Sequence, residues 1–386
     1  MSTIRVSNIK NESTSNGGIS VDSSGHVTVD GQQMPTAGAL SHRNLVSNGA
    51  MRVAQRGTSG VTSSSGAYLS VDRWKCTDGG IGAFTVSQSS TAPDGFANSV
   101  KWNCDTADTN ISSEIYMEQL IEGQDLQHLN YGTSSAKSIT ISFWVKSNLT
   151  GEFSVWLENF DSARYFTTSG YTINTADTWE YKTITIPGDT GGSGFGNDND
   201  VGMKIRWHLA VRSSYQGTPS GSWSTSASNR SQSSHVNLAS NIANEWYLTG
   251  VQVEVGDKAT PFEHRSYGDE LARCERYCQV FEYTGQYHLI CQGIIETGAT
   301  IENIFYLRRP MRTFPSCTLS NIANFRLNDF RGNDEDADAF IGISRGSLST
   351  ANLKFRKPTS NMDPGRAGYI NAGTSSGATM TFSAEL

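Results

Sequence analysis

Residues 245–281 constrain the fold of this chain more than any other stretch. Side chains of residues 245–255 alternate with a period of two and are rich in β-branched types, which is typical of a strand. A Gly256-Asp257 turn and an extended Thr-Pro-Phe segment follow, and apolar residues then recur at three- and four-residue spacings. The sequence therefore predicts a strand that closes one domain and a short helix over 269–281 that opens another.

Composition favours an all-β protein with more than one domain. The chain has 386 residues, enough for two or three domains that each bury a core. Glycine is abundant with 38 residues, proline is scarce with 9, and only 17% of residues are charged. This balance favours many short strands joined by tight turns. The net charge of −7 and the lack of a basic run argue against a nucleic-acid partner.

The six cysteines are interpreted as structural thiols rather than as metal ligands or disulfides. None forms a Cys-x-x-Cys pair, and no histidine stands at zinc-finger spacing. No signal peptide opens the chain, and no apolar run reaches membrane-spanning length. We therefore expect no cofactor, no metal and no membrane insertion, and we expect folding in a reducing cytoplasm.

The alternating segments divide the chain into three predicted parts. Residues 1–40 contain a very short strand at Ile4–Val6 and an alternating hairpin over 18–31, which is too small to be stable without a partner. That partner is either another protein of an assembly or this chain's next domain. Residues 41–265 are predicted to form a jelly-roll-like β-sandwich, and residues 266–386 a linker helix and a smaller distal β domain.

The strands behind this division alternate between apolar and polar residues. In the sandwich they are Ile139–Lys146, Phe153–Leu157, Tyr181–Ile186, Met203–Arg212 and Trp246–Val255. In the distal domain they are Tyr287–Ile290, Ile301–Leu307, Cys317–Leu319, Ala339–Ser344, Leu353–Phe355 and Ala378–Ala384. The Gly- and Ser-rich loops Pro187–Asp200 and Ser213–Ser240 are expected to be exposed at the ends of the sandwich.

Two tryptophans are predicted to point away from the sandwich core. In two consecutive predicted strands the alternate residues are apolar, which turns Trp144 outward beside Lys146 and Trp156 outward beside Glu158. If these strands pair as a hairpin, the two indoles lie next to each other on one polar face. Sugar rings stack on indoles while polar neighbours bind the hydroxyls, so Trp144, Trp156, Glu158 and Lys146 form a candidate glycan face.

The alternative is that a loop, the N-terminal arm or another subunit covers the two indoles, because tryptophan is enriched at protein interfaces. No catalytic residue is predicted. Glu152 and Glu158 lie near the tryptophans, but nothing in the sequence indicates a raised pKa on either carboxyl group. A zinc-protease motif is also absent from the sequence. We therefore expect a binding protein rather than an enzyme.

Two further polar patterns have ordinary structural interpretations. The acidic loops Asn197–Asp200 and Asn333–Asp338 lack EF-hand spacing and are interpreted as solvated turns rather than calcium sites. One predicted strand carries a row of basic side chains on one face, for which carboxylates of a neighbouring strand are favoured over acidic sugars as partners. This row is Lys204, Arg206, His208 and Arg212.

Three separated parts of the chain contain recognisable sequence motifs. They are Leu248–Gly256 with Ala259–Arg265 and Glu270–Tyr277, then Asn44–Thr58 with Tyr68–Trp74, and finally Met380–Leu386. These stretches resemble bacteriophage tail-fibre and virion structural proteins, some of which carry a jelly-roll domain similar to carbohydrate-binding modules. The resemblance extends from about residue 41 to the C-terminus, and its motifs contain no catalytic chemistry.

The resemblance implies a homotrimeric tail fibre or receptor-binding protein of the virion. It would attach to other tail or capsid proteins through residues 1–40, assemble in the host cytoplasm and bind host surface polysaccharide. One alternative is a protein that decorates the capsid or tail without a receptor role. A polysaccharide depolymerase is a less favoured alternative, because the long repeating β-helix pattern is absent. The outward tryptophans favour receptor binding over decoration.

Overall fold

The computed structural model of the chain describes residues 8–9, 18–35, 41–62, 65–373 and 377–386. The chain divides into two compact units, Met1–Tyr267 and Gly268–Leu386. The sequence predicts the boundary between the sandwich and the distal part of the chain after residue 265. The strand predicted at Ile4–Val6 lies outside the described residues.

The first unit consists of short and medium strands linked by turns and by short 3-10 helices at Gly123–Leu129, Ser213–Tyr215 and Leu238–Ser240. Its described strands are β1 (Asn8–Ile9), β2 (Ile19–Val21), β3 (Val27–Val29), β4 (Gln32–Gln33), β5 (Ser59–Val61), β6 (Ala67–Tyr68), β7 (Lys75–Thr77), β8 (Ala83–Ser89), β9 (Ser99–Thr106), β10 (Glu114–Glu122), β11 (Ile139–Ser147), β12 (Gly151–Asn159), β13 (Arg164–Thr167), β14 (Tyr171–Ile173), β15 (Glu180–Ile186), β16 (Val201–Val211) and β17 (Glu245–Val255).

Helix α1 (Tyr267–Glu275) leads into the second unit, which also has a 3-10 turn at Ile322–Asn324. The strands of this unit are β18 (Cys278–Tyr283), β19 (Leu289–Thr297), β20 (Thr300–Tyr306), β21 (Ser316–Leu319), β22 (Phe325–Asn328), β23 (Glu335–Asp336), β24 (Ala339–Gly346), β25 (Thr350–Arg356), β26 (Ala367–Ala372) and β27 (Ala378–Ser383). They form a three-stranded sheet, β18-β27-β21, and a seven-stranded sheet, β23-β22-β26-β19-β20-β25-β24.

Two antiparallel sheets form the sandwich of the first unit. Sheet I has the order β13-β12-β16-β10-β7-β6, with β14 also paired to β12, and sheet II has the order β15-β11-β17-β9-β8-β5. Apolar side chains from the inner faces of both sheets form one core. Across it, the ring centroids of Phe143 in sheet II and Trp207 in sheet I are 5.9 Å apart. The all-β, jelly-roll-like architecture with a smaller C-terminal β domain and a short linking helix is therefore confirmed.

The predicted pairing of β11 with β12 is wrong. Strand β11 pairs with β15 and β17 in sheet II, whereas β12 pairs with β13, β14 and β16 in sheet I. The short connection between them therefore passes from one sheet to the other. Phe143 of β11 and Phe153 of β12 both contact the ring of Tyr171, with centroids 5.0 and 5.5 Å away, because their apolar faces meet across the core.

The predicted helix over 269–281 is shorter than expected. Helix α1 ends at Glu275, and Cys278–Tyr283 is strand β18, which pairs antiparallel with β27. Backbone pairing with a neighbouring strand overrides the helical spacing of Cys274, Tyr277, Cys278 and Phe281. All six cysteines are free thiols, and all except Cys317 are buried.

A small N-terminal sheet, with the order β1-β2-β3-β4, belongs to the first unit. The hairpin predicted over 18–31 is present as the antiparallel pair β2 and β3, in which Ile19 pairs with Val29. None of the described helices has the length and apolarity that a membrane crossing requires.

Candidate functional site

The four residues of the predicted glycan face are divided between the two outer faces of the sandwich. Trp144 and Lys146 lie on β11 in sheet II, and Trp156 and Glu158 lie on β12 in sheet I. Both indoles point away from the core, as the alternation of each strand predicts. A single face containing both tryptophans does not form, because β11 and β12 belong to opposite sheets.

Trp156 is covered by its own chain. The indole is only 2% exposed and stacks on Tyr165, with centroids 5.3 Å apart and planes 17° apart. The guanidinium groups of Arg206 and Arg230 lie 4.9 and 5.3 Å from its ring. Arg230 belongs to residues 213–235 of the loop Ser213–Ser240, which was expected to be exposed at a sandwich end. Many side chains of this loop are exposed, as expected, but Arg230 packs on the outer face of sheet I. Trp156 is therefore covered by its own chain, as in the alternative interpretation.

Carboxylates of neighbouring strands pair with the basic row of β16. Lys204 Nζ lies 3.1 Å from Glu158, and Arg206 Nε lies 2.6 Å from Glu118. His208 Nε2 lies 3.1 Å from Glu114. Pairing with carboxylates of neighbouring strands, the favoured interpretation, is therefore confirmed for these three residues. Glu158 forms its ion pair with a lysine of sheet I.

One polar cluster in sheet I has the residue types of a hydrolase triad. His208 Nδ1 is 3.4 Å from Ser154 Oγ, and its Nε2 contacts Glu114. Burial lowers the pKa of His208, while the histidine and nearby arginines hold the pKa of Glu114 below its ordinary value although burial opposes them. Ser154 and His208 have no exposed surface, and Arg230 also binds Glu114 from the covering loop. A substrate cannot reach Ser154, so this cluster is structural.

An aromatic cleft is present on the outer face of sheet II, and we call it the Trp144 cleft. It has a volume of about 510 Å³, within the usual range of ligand sites. The rings of Trp144 and Tyr181 lie 5.3 Å apart. Phe96 and Phe262, whose centroids are 5.0 Å apart, supply two more aromatic rings to its lining.

Gly250 of β17 makes this arrangement of rings possible. It lies in the cleft lining at a φ of +61°, which favours glycine. A Cβ at this position would stand 2.7 Å from the ring of Phe96 and 3.1 Å from Trp144. Any side chain here would push the rings apart or fill the cleft.

Polar groups of the cleft are uncharged. Ser142, Thr260 and Tyr181 are among its lining residues, and burial raises the pKa of Tyr181, so its hydroxyl is neutral at physiological pH. The indole N–H of Trp144 makes no hydrogen bond to the described part of the chain. None of the described residues that line the cleft carries a charge. The arrangement combines apolar rings with neutral donors and acceptors.

Lys146 lies two positions along β11 from Trp144, on the same face. Its Nζ is 4.6 Å from the ring centroid of Tyr247, which Trp179 also contacts at 6.1 Å. Glu245 accepts a hydrogen bond from the Tyr247 hydroxyl at 2.7 Å and pairs with Lys101. Trp144 and Lys146 therefore share the outer face of sheet II, and Lys146 borders a second, partly charged aromatic cluster.

Sequence analysis did not identify several residues of the cleft. Tyr181 begins the predicted strand Tyr181–Ile186. The alternation of this strand places Tyr181 on its outer face, which is only a weak indication of a binding site. Phe96 and Phe262 lie outside regular strands, so their place in the site depends on loop packing. Gly31, Gln32 and Gln33 of the N-terminal sheet also line the cleft.

The acidic loop Asn333–Asp338 binds cationic side chains of this chain. Asp334 and Asp336 pair with Arg326, and Asp338 pairs with Arg356 at 3.0 Å. Asp198 accepts a hydrogen bond from the backbone N–H of Asp200. No grouping of three or more metal-binding side chains is present within the described residues.

Comparison with known proteins identifies structural neighbours only. No family model and no curated protein matches the chain. The CBM22-1 xylan-binding domain from Paenibacillus barcinonensis is 11% identical, covers 54% of this chain and 100% of its own, and has a TM-score of 0.28. The tandem CBM22 domain of the same protein is 11% identical, covers 91% of this chain and 100% of its own, and has a TM-score of 0.30.

A third neighbour is the enzymatically active domain of tailspike protein 4 from bacteriophage CBA120. It is 12% identical with a TM-score of 0.30, and the aligned part covers 55% of this chain. The match spans only 21% of the tailspike chain. Similarity at this level does not assign a ligand or an activity to the protein.

Proposed function

We propose that this protein is a bacteriophage tail fibre or receptor-binding virion protein that binds host cell-surface glycans through the Trp144 cleft. The observation that carries the proposal is the open cleft of about 510 Å³ that is lined by four aromatic rings and by neutral polar groups. Aromatic rings stack on the C–H faces of sugars, and hydroxyl and amide groups bind sugar hydroxyls. The three sequence stretches that resemble virion proteins support the proposed role in a phage particle.

The lining of the cleft also supports binding without hydrolysis. Glycoside hydrolysis uses a pair of carboxyl groups on either side of the scissile bond. The described residues that line the Trp144 cleft include no Asp or Glu. The Ser154, His208 and Glu114 cluster lies under a loop on the other sheet and does not reach this surface. These features favour a receptor-binding protein over a depolymerase.

A virion protein of this kind would act through several copies. Single glycan contacts are weak, and attachment of several identical sites to one surface raises the overall affinity. We propose a homotrimer that attaches to other tail or capsid proteins through residues 1–40. The alternative, a decorating protein without a receptor role, does not require an open aromatic cleft.

Glycan binding by the purified full chain tests the proposal. The probes are cellohexaose, xylohexaose, maltohexaose and an array of bacterial surface polysaccharides. We expect binding to at least one probe, a loss of at least tenfold in affinity for Trp144→Ala, and no change for Tyr306→Ala. Tyr306 is a matched control because it is an aromatic residue of the second unit with 73% exposure. Equal binding by Trp144→Ala and the wild type would reject the cleft as the glycan site.

A further inference from the structure

The N-terminal sheet contributes to the lining of the Trp144 cleft. Gly31, Gln32 and Gln33 line it together with Trp144 and Tyr181. Gln33 Nε2 donates to the carbonyl oxygens of Val27 and Met34, at 3.2 and 2.7 Å. The exposed Gln32 side chain makes no hydrogen bond with any described residue, so its amide is available for a bound molecule.

This small sheet needs an external attachment. Its strands are two or three residues long, and hairpins of this size are marginal in water. The turn after β2 is organised by Asp22, whose Oδ1 accepts hydrogen bonds from the backbone N–H groups of Ser24 and His26, both at 2.9 Å. Asp22 Oδ2 lies 2.8 Å from His26 Nδ1 and orients the imidazole.

His26 joins the N-terminal sheet to the sandwich. Its Nε2 lies 3.2 Å from Oδ2 of Asp257, in the turn that follows β17. Beside this contact is a cavity of about 600 Å³, lined on the sandwich side by Lys137, Ser138 and Gly256. Side-chain packing is therefore incomplete at this end of the sheet, and the His26 bridge supplies a specific attachment there.

We propose that the N-terminal sheet is a wall of the Trp144 cleft, with Gln32 as a ligand-contacting residue and His26 as the positioning residue that holds the wall. The identity of the ligand rests on the proposed function, whereas the position of the wall does not. Because the wall and the bound glycan would touch, docking of the sheet and glycan binding stabilise each other. Residues 18–33 would then serve the receptor site in addition to any role in attachment to the particle.

The bridge has a defined pH response. Among the described residues, Asp22 and Asp257 contact His26, and the charged residue Lys137 lines the adjoining cavity. The hydrogen bond to Asp22 raises the pKa of His26, with Asp257 acting in the same direction against burial. The backbone and imidazole donors of His26 lower the pKa of Asp22 to about 2. The bridge is therefore fully present below about pH 6.5, the ordinary His value, and is lost as pH rises through the raised pKa of His26.

Hydroxyl-radical footprinting of the full chain tests the wall without any ligand. At about pH 5.5 we expect Trp144 and Tyr181 to be oxidised at least twofold more in His26→Ala and Asp257→Asn than in the wild type. At about pH 9 the oxidation of Trp144 and Tyr181 in the wild type should approach the level seen in the variants. Tyr306, in the second unit, provides an internal control whose oxidation should not change. Equal oxidation of Trp144 in the wild type and both variants at both pH values would overturn the proposal.

Binding measurements separate this inference from the proposed function. With the hexasaccharide or polysaccharide that binds the wild type, Gln32→Ala and His26→Ala should weaken binding at least threefold at about pH 5.5. At about pH 9 His26→Ala should bind as well as the wild type, because the wild type has also lost the bridge at that pH. The weaker binding of Gln32→Ala should remain. Binding that is abolished in Trp144→Ala but unchanged in Gln32→Ala and His26→Ala would reject the wall alone. Binding unchanged in Trp144→Ala would reject the proposed function, while the footprinting result would still decide the wall.

Discussion

The indole of Trp156 stacks face to face on the ring of Tyr165, with centroids 5.3 Å apart and planes 17° apart. Arg206 and Arg230 lie over the same indole, so aromatic and cationic groups enclose it on the outer face of sheet I. Removal of the indole would leave a cavity beneath the loop 213–235. We expect Trp156→Ala to lower the free energy of unfolding by about 3–5 kcal/mol, the usual cost of a buried aromatic truncation.

Urea unfolding monitored by circular dichroism measures this cost. Trp144→Ala is the matched control, because Trp144 is only partly buried and its removal should change stability much less. Glycan binding per folded molecule should be unchanged in Trp156→Ala. Equal stability of Trp156→Ala and the wild type would contradict the burial of Trp156 beneath the loop.

Gly250→Ala should damage the Trp144 cleft. The new Cβ would stand 2.7 Å from the ring of Phe96, and the residue would keep a φ of +61°. We expect a loss of stability on the order of 1–3 kcal/mol and a loss of glycan binding. Gly221→Ala is the control, because Gly221 has a similar positive φ of +66° but no heavy atom within 4 Å of the added Cβ. Similar losses of binding in both variants would show that backbone strain, rather than contact with Phe96, causes the effect.

Acid should loosen the loop that covers sheet I. His235 is half-buried, and desolvation of its imidazole lowers its pKa to about 4. Its Nδ1 lies 2.6 Å from the carbonyl oxygen of Val236, and its Nε2 has no hydrogen-bond partner within the described residues. Since the folded pKa lies below the unfolded value of about 6.5, stability is complete above that pH and decreases as pH falls through about 4.

The loss attributable to His235 reaches at most about 3 kcal/mol. Unfolding free energies at about pH 7.5 and about pH 4.5 measure it, and His235→Phe should reduce the difference between the two pH values. Phe keeps a ring beside Phe153, whose centroid lies 6.0 Å from that of His235. An unchanged pH difference in His235→Phe would assign the acid sensitivity to other groups, of which the buried His208 is the first candidate.

The oligomeric state tests the fibre proposal. We expect the purified full chain to be a trimer, because the apolar faces of the N-terminal hairpin and of the linker helix are too small to make either element stable alone. Multi-angle light scattering at micromolar concentration gives the mass directly. A monomer under these conditions would argue against the trimer and against the tail-fibre proposal.

Removal of residues 1–40 separates folding from particle attachment. A chain that begins at residue 41 should still fold, because the described core of the sandwich starts at Val46 and includes no residue of the N-terminal sheet. It should fail to enter phage particles if residues 1–40 are the anchor. Circular dichroism and a particle-incorporation assay measure the two properties. Normal incorporation would place the anchor elsewhere.

Local alternation was sufficient to predict the strands that correspond to β11, β12, β15, β16 and β17, whereas the long strands β8, β9 and β10 were not predicted. Side chains in a strand point to opposite faces in turn, so the apolar residues of β11, β12 and β16 identify the core side without knowledge of the partners. The outward direction of Trp144 and Trp156 follows in the same way. The all-β class follows from the repetition of such segments and of turn residues along the chain.

Only the tertiary structure decided which strands are neighbours. A short turn permits either a hairpin within one sheet or a crossing to the facing sheet, and both bury the same apolar residues of β11 and β12. The choice of the crossing placed Trp144 in an open cleft and Trp156 under a loop. The loop 213–235 and the N-terminal sheet decided what covers each indole, because contacts between residues distant in sequence have no local periodic signal. The sequence alone determined the faces of the strands, and long-range packing determined the site.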